Sequence, residues 1–292
     1  MTPERVVVSE IDGAVVDSLT RDYDPARPAI AALAGLGVPL VLCSGRPWAE
    51  VSFVSRIFSL GAPIIVENGA ALRVPAGHLR GTVPGGEWDG EWSVLRLGPP
   101  RETIRRSLEE VAAAAGVRVR LLSDLTSGER FRRHMPSLLG PTPAEREHTE
   151  PFLLDGEEDE AALARAAEAR SLRLARGQGL FYLCGGADMG LAVRTLLALY
   201  EREGRRPEAI GFGSWPVDLP MLQAVDRPIV LPGPGGRIEP QLAAGLGRAE
   251  RAGQGGPRGW NDAVLSVLAR RLLPDLATPT SRPEPALRRA AS

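Results

Sequence analysis

Two acidic residues, Glu10 and Asp12, stand two positions apart directly after the apolar run Val6-Val7-Val8. In an extended chain residues i and i+2 face the same side, so this spacing aims both carboxylates at one place. Such a pair suits nucleophilic attack, proton transfer or cation binding. Gly13 then frees the chain to turn, which sets the pair at the carboxyl end of a strand, where open α/β sheets carry their ligand sites. An acid pair after an apolar run is, by itself, most often only a polar strand end. Its weight comes from further segments that also follow apolar runs. These are Ser44-Gly45-Arg46-Pro47, Glu67-Asn68-Gly69-Ala70, Gly185-Gly186-Ala187-Asp188-Met189-Gly190, and Gly213-Ser214-Trp215-Pro216-Val217-Asp218.

The elements that must position these residues are legible from periodicity. Val6 to Val8, Val38 to Cys43 and Pro63 to Val66 are short apolar runs without polar alternation, which predicts strands buried on both faces of a parallel sheet. Helical spacing predicts helices over Pro25 to Gly37 and Trp48 to Leu60, and Pro47 suits the first position of the second. Residues 71–98 alternate apolar and turn residues, which predicts hairpins on the sheet edge. From Pro99 to Cys184 helices (Arg101 to Ala115, a stretch around Glu129 to Met135, Asp159 to Arg170) are mixed with strands (Val117 to Leu121, Glu150 to Leu154, Leu172 to Ala175, Leu180 to Cys184). That mixture predicts a separate small α+β unit. Helices over Asp188 to Glu203, Leu219 to Val225 and Trp260 to Leu273, with strands Ala209 to Phe212 and Pro228 to Leu231, return to the first pattern.

Composition narrows the classes. The chain has 292 residues and a formal charge of -1, enough for a sizeable core and too little positive charge for a nucleic-acid binder. No apolar run is long enough to span a bilayer, and Thr2-Pro3-Glu4-Arg5 does not open a signal peptide. A cytoplasmic protein is expected. Cys43 and Cys184 lie in apolar runs and read as buried thiols. The sequence contains no lysine, so every basic side chain apart from histidine is arginine.

In these segments the chain resembles the haloacid dehalogenase superfamily of phosphohydrolases, in its sugar-phosphate (type IIB, Cof-like) branch. The superfamily's first pattern is Asp-x-Asp-Gly-Thr, and here it reads Glu10-Ile11-Asp12-Gly13-Ala14. The resemblance makes Glu10 the nucleophile position and Asp12 the acid/base position. Met189 falls where the family has a lysine that pairs with the nucleophile and the phosphoryl group. Ser214 falls where a metal-ligating Asp belongs, and Asp218 keeps the last acid of that pattern. Substrate contacts are implied for Ser44, Gly45, Arg46, Asn68 and Arg146. The last lies in Arg146-Glu147-His148-Thr149-Glu150-Pro151-Phe152, which is similar to an Arg-x-Tyr-Ser-Glu-Pro-Phe segment of mannosyl-3-phosphoglycerate phosphatases.

The fold implied is α/β: a doubly wound, mainly parallel sheet with an inserted α+β cap. Residues 1–98 and 185–274 would form the core, 99–184 the cap, and 275–292 a disordered tail. The implied cofactor is Mg²⁺, held by Glu10, Asp12, Asp218 and Ser214. Because Ser214 supplies no carboxylate, that site is expected to be weak or lost. A thioether at Met189 cannot offset negative charge, and Arg194, five positions on, points elsewhere on a helix. The expectation is a catalytically impaired relative that binds a small anionic sugar phosphate or a protein partner, with neither nucleic acid nor membrane. The alternative is an active Mg²⁺-dependent phosphomonoesterase that converts mannosyl-3-phosphoglycerate to mannosylglycerate and phosphate.

Overall fold

A computed structural model describes residues 4–132, 138–139, 144–154, 160–177 and 179–272. The chain runs β1 (Arg5–Ser9), α1 (Arg27–Gly35), β2 (Leu40–Cys43), α2 (Trp48–Ile57), β3 (Ile64–Val66), β4 (Ala71–Pro75), β5 (Glu87–Trp88) and β6 (Trp92–Arg96). It continues with α3 (Arg101–Ala115), β7 (Val119–Leu121), α4 (Ser127–Arg132), β8 (Phe152–Leu154), α5 (Glu160–Glu168), β9 (Arg173–Gly177) and β10 (Leu180–Cys184). It closes with α6 (Met189–Arg202), β11 (Glu208–Gly213), α7 (Leu219–Gln223), β12 (Arg227–Val230), α8 (Pro240–Gly245), β13 (Glu250–Arg251) and α9 (Gly256–Leu272).

Nine strands form one sheet in the order β13-β12-β11-β1-β2-β3-β4-β6-β5. From β13 to β3 every pairing is parallel, and β4, β6 and β5 add an antiparallel edge. The sheet is therefore mainly parallel, as expected, with β1 near its centre. Val7 packs into the apolar layer shared with Ile30 and Leu33 of α1 and Trp260 and Val264 of α9. Its neighbours Val6 and Val8 pack into the opposite layer, with Leu196 and Tyr200 of α6 and Leu222 of α7. Alternation along one all-valine run thus serves two buried faces, each buried side chain contributing about 1.5–3 kcal/mol.

A second sheet, β7-β8-β10-β9, is antiparallel throughout. On β10, Phe181 and Leu183 face Ile104 and Leu108 of α3 and Leu163 of α5. The other face of the strand carries Leu180, Tyr182 and Cys184, which join Val217 and Trp215 from the loop after β11. Helices cover one side of this sheet, and the large sheet's strand ends meet the other.

Some elements differ from the periodicity reading. The predicted helix over Pro25 to Gly37 begins as a 3-10 turn at Asp24–Ala26, followed by α1. The elements α8 and β13 were not foreseen, since their stretch is rich in Gly and Pro and too short to show a period. The predicted helix around Glu129 to Met135 is seen as α4, with residues 133–135 outside the described residues. The predicted tail, 275–292, lies outside them as well. Cys43 and Cys184 are buried free thiols. No helix among the described residues is long and apolar enough to cross a membrane.

Candidate active site

A cleft lies between the carboxyl ends of the central strands and the second sheet. Its walls include Glu10, Asp12, Arg21, Ser44, Gly45 and Arg46 from the large-sheet side. Arg146, Leu180 and Tyr182 contribute from the other side, and Asn68 and Trp215 complete it.

Glu10 and Asp12 face the cleft from a turn and not from the strand that their spacing predicts. β1 ends at Ser9, so both acids sit in the turn that follows, which Gly13 closes with a left-handed φ of 82°. Glu10 is 3 % exposed and its Oε1 accepts from Ile11 N (2.8 Å), Asp12 N (3.3 Å) and Ser44 Oγ (2.7 Å). The Asp12 carboxylate is held by two guanidinium groups. Arg46 binds it in a fork, Nε to Oδ2 at 2.5 Å and Nη2 to Oδ1 at 2.7 Å, while Arg21 Nη1 donates to Oδ1 at 2.8 Å. Arg46 Nη1 also pairs with Glu50, four residues on in the first turn of α2. Burial opposes the charge on Arg46, but Asp12 and Glu50 overcome it and hold the guanidinium firmly protonated.

The loops after β2 and β3 are bonded to each other. Ser44 N donates to Ile65 O at 3.0 Å, Asn68 N to Ser44 O at 3.1 Å and Glu67 N to Arg46 O at 3.0 Å. Glu67 and Asn68 both take left-handed φ angles, 51° and 59°, conformations that cost a non-glycine residue roughly 1 kcal/mol or more. The Asn68 side chain is 3 % exposed, and neither its Oδ1 nor its Nδ2 has a partner. It lies against Gly45, where a Cβ would come within 2.7 Å of Oδ1. A side chain at Gly45 would displace the Asn68 amide, which is left facing the cleft, buried, with its hydrogen bonds unspent.

Glu67 does a different job. Its carboxylate accepts from Glu147 N (2.8 Å), His148 N (3.1 Å), Thr149 N (2.8 Å) and Thr149 Oγ1 (2.6 Å). That clasp holds the segment carrying Arg146 above the floor, where Arg146 Nη1 donates to Gly45 O at 2.9 Å and to Thr149 Oγ1 at 2.8 Å.

The remaining residues form the acidic and apolar side. Asp188 caps α6 by accepting from Leu191 N at 2.7 Å. Met189, next in line, is 1 % exposed and packs in the apolar layer with Cys43 and Val8. Asp218 is fully buried, with Oδ2 accepting from Ser214 N and Trp215 N, both at 2.8 Å. Its Oδ1 and the Ser214 hydroxyl are buried without partners. Burial, then the charges of Asp218 and Asp12, push the Glu10 carboxyl well above the usual carboxylate range. Burial likewise pushes Asp218 up to about 6, against the two backbone donors that lower it.

Mg²⁺ needs several hard oxygen ligands in near-octahedral geometry. The Asp12 carboxylate is committed to arginines, which leaves Glu10, Asp218 and the Ser214 hydroxyl. Among the described residues no set of three or more Asp, Glu, His or Cys side chains is arranged to hold a metal ion. The side chains present do not fit a closed Mg²⁺ site.

The structure thus brings together Glu10, Asp12, Ser44, Gly45, Arg46, Asn68 and Arg146 around one cleft, and places Met189 in the apolar layer beneath it. Arg21, Glu50 and Glu67 were missed as site residues. The four-residue spacing of Arg46 and Glu50 across the predicted helix start was the one local hint of that pair. Nothing local marks Arg21.

The haloacid dehalogenase-like hydrolase family matches residues 7–79. A glucosyl-3-phosphoglycerate/mannosyl-3-phosphoglycerate phosphatase of Methanococcoides burtonii is 30 % identical over 271 residues, 91 % of this chain and 98 % of that protein. A mannosyl-3-phosphoglycerate phosphatase of Pyrococcus furiosus is 31 % identical over 223 residues, 76 % of this chain and 88 % of its own length. The solved structure of Thermoplasma acidophilum 0175 superposes with a TM-score of 0.63 at 19 % identity, covering 93 % of this chain and 99 % of that one.

Proposed function

The chain belongs to the haloacid dehalogenase-like hydrolases, and on that footing we propose that it is a mannosyl-3-phosphoglycerate phosphatase-like protein with impaired catalysis. Its cleft binds a small anionic sugar phosphate, and phosphate release from that ligand is slow or absent. The observation that carries this reading is the state of the two acids at the end of β1. Glu10 is buried against Asp218, which raises its carboxyl above the usual carboxylate range, and it carries one methylene more than the family's aspartate, which moves its oxygens by about 1 Å from the attacking position. Asp12 is clamped by Arg46 and Arg21, so both of its carboxylate oxygens are engaged by fixed donors where a general acid has to reach the leaving group. Met189 stands at the family's lysine position, and among the described residues no cationic side chain is bonded to Glu10.

The binding half supports the other part of the reading. Arg46 and Arg146 line the cleft with Ser44 and the unspent Asn68 amide, donors suited to phosphoryl and sugar oxygens. The cellular setting that goes with such a ligand is the cytoplasm, without nucleic acid or membrane.

A second reading, an active Mg²⁺-dependent phosphomonoesterase acting on mannosyl-3-phosphoglycerate, is favoured by a match that spans 98 % of a relative named as such a phosphatase. One pair of measurements separates the two: binding of mannosyl-3-phosphoglycerate by calorimetry, and phosphate release from it and from an aryl phosphate with saturating Mg²⁺. Binding without release is expected. Turnover of about one per second that disappears in Glu10→Gln would establish the second reading instead.

A further inference from the structure

The loop between β1 and α1 is built to turn one side chain inward. Asp17 N donates to Asp22 O at 2.8 Å, Arg21 N to Asp17 O at 3.1 Å, and Asp17 Oδ1 accepts from Leu19 N (2.9 Å) and Thr20 N (2.8 Å). Leu19, Thr20 and Asp22 are exposed. Arg21 adopts a left-handed φ of 64°, a conformation that is uncommon for non-glycine residues. Its side chain is only 20 % exposed and reaches the cleft wall beside Arg46.

There, two guanidinium groups converge on one carboxylate. Asp12 Oδ1 accepts from Arg21 Nη1 at 2.8 Å and from Arg46 Nη2 at 2.7 Å. Arg46 alone already satisfies Asp12 in a fork and has Glu50 as a second partner. Arg21 adds a second positive charge to a carboxylate that needs one. A dianionic phosphoryl group offers a guanidinium more negative charge and more acceptor oxygens than a shared carboxylate oxygen does.

We propose that Arg21 is an anion-binding residue of this cleft, resting on Asp12 in the free protein and turning its donors to the ligand's phosphoryl group on binding. The inference rests on the function proposed above and adds to it a residue from the loop after β1. It also gives the strained turn a purpose, since the turn aims a cation that no helix or strand of the core supplies.

The test is calorimetric titration of the full chain with inorganic phosphate, comparing wild type, Arg21→Ala and Arg21→Lys, with the melting temperature of each measured without phosphate. Arg21→Ala should weaken phosphate binding roughly tenfold to a hundredfold, the range for loss of a charged hydrogen bond. Arg21→Lys should recover most of it, because a point charge at the same place still attracts phosphate. Binding by Arg21→Ala equal to wild type overturns the inference and leaves the proposed function standing. Equal weakening in Arg21→Ala and Arg21→Lys, tracking a common fall in melting temperature, also overturns it, since that is the outcome of a structural role. Failure of wild type to bind either phosphate or mannosyl-3-phosphoglycerate overturns both.

Discussion

The two halves of the cleft floor are made differently. On one side the loops after β2 and β3 bond to each other, Glu67 gathers four donors from the opposite sheet's segment, and Arg146 is fixed above Gly45. On the other side the ends of β1 and β11 set Glu10 against Asp218, with Met189 in the apolar layer below and Ser214 Oγ and Asp218 Oδ1 unpartnered. The first half is arranged like a preorganised binding site, in which the ordering cost has been met during folding. The second sets Glu10 against Asp218, and among the described residues no arginine is bonded to either acid. The halves meet where Ser44 donates to Glu10 and Arg46 holds Asp12, and the function proposed above requires that binding persist while the chemistry has decayed.

The largest effect expected from breaking the binding half comes from Glu67. Glu67→Ala strands the buried N–H groups of His148 and Thr149, the Thr149 hydroxyl and the half-buried N–H of Glu147, at about 1 kcal/mol apiece. Unfolding in urea should show a loss of roughly 4 kcal/mol, with phosphate binding lost together with the placement of Arg146. Glu67→Gln keeps the shape and should cost less than half as much. A loss below about 1 kcal/mol in Glu67→Ala would mean that water replaces the carboxylate and that no clasp exists.

Repairing the other half is the next test. The triple change Glu10→Asp, Met189→Lys and Ser214→Asp should raise phosphate release by roughly 10²- to 10³-fold, the scale of a restored electrostatic partner. The three changes will not act additively, because such groups work as a unit. No gain in the triple variant, with binding intact, would place the block in Trp215, whose indole Nε1 donates to Asp12 O at 3.3 Å.

The fold was legible in the sequence because apolar runs and their turns are local signals. The valines of β1, the loop residues Ser44 to Pro47 and the Glu67-Asn68-Gly69 turn are each readable within ten residues. Glu67 shows where that ends. Its type and position were visible, but its partners Glu147, His148 and Thr149 lie some eighty positions away, and only the folded chain brings them together. Arg21 was hidden for a similar reason, since its value depends on the turn's backbone angle. The early end of β1 was hidden too, because strand pairing ends one position before the acids begin.

A third expectation sharpens the contrast through pH. Asp218 rises from its ordinary 3.8 to about 6 on folding, mainly through burial, and Glu10 moves in the same direction. A carboxyl whose pKa is higher in the folded state binds its proton more tightly there. Its contribution is present in full below the unfolded value and is lost as pH rises through the folded one. In metal-free buffer, stability should therefore decline between about pH 4 and pH 6 by on the order of 2–3 kcal/mol. Asp218→Asn, which can still accept from Ser214 N and Trp215 N, should flatten that decline. An unchanged slope would assign it to other groups.

The smallest effect expected is on metal affinity, and it probes the same acids from outside. Mg²⁺ binding has to compete with the proton that Glu10 favours, and Asp12 is engaged by Arg46 and Arg21. Titration calorimetry of wild type with Mg²⁺ should give an affinity weaker than micromolar. Ser214→Asp adds an anionic oxygen where a buried hydroxyl has no partner, and should tighten binding by about tenfold, close to 1.4 kcal/mol. The gain is held down by the added repulsion among Glu10, Asp218 and the new carboxylate before the ion arrives. It should grow with pH, because raising pH removes the proton that competes. Micromolar binding by wild type would break the comparison between the halves, since it would show that Glu10 and Asp218 already hold a cation without further help.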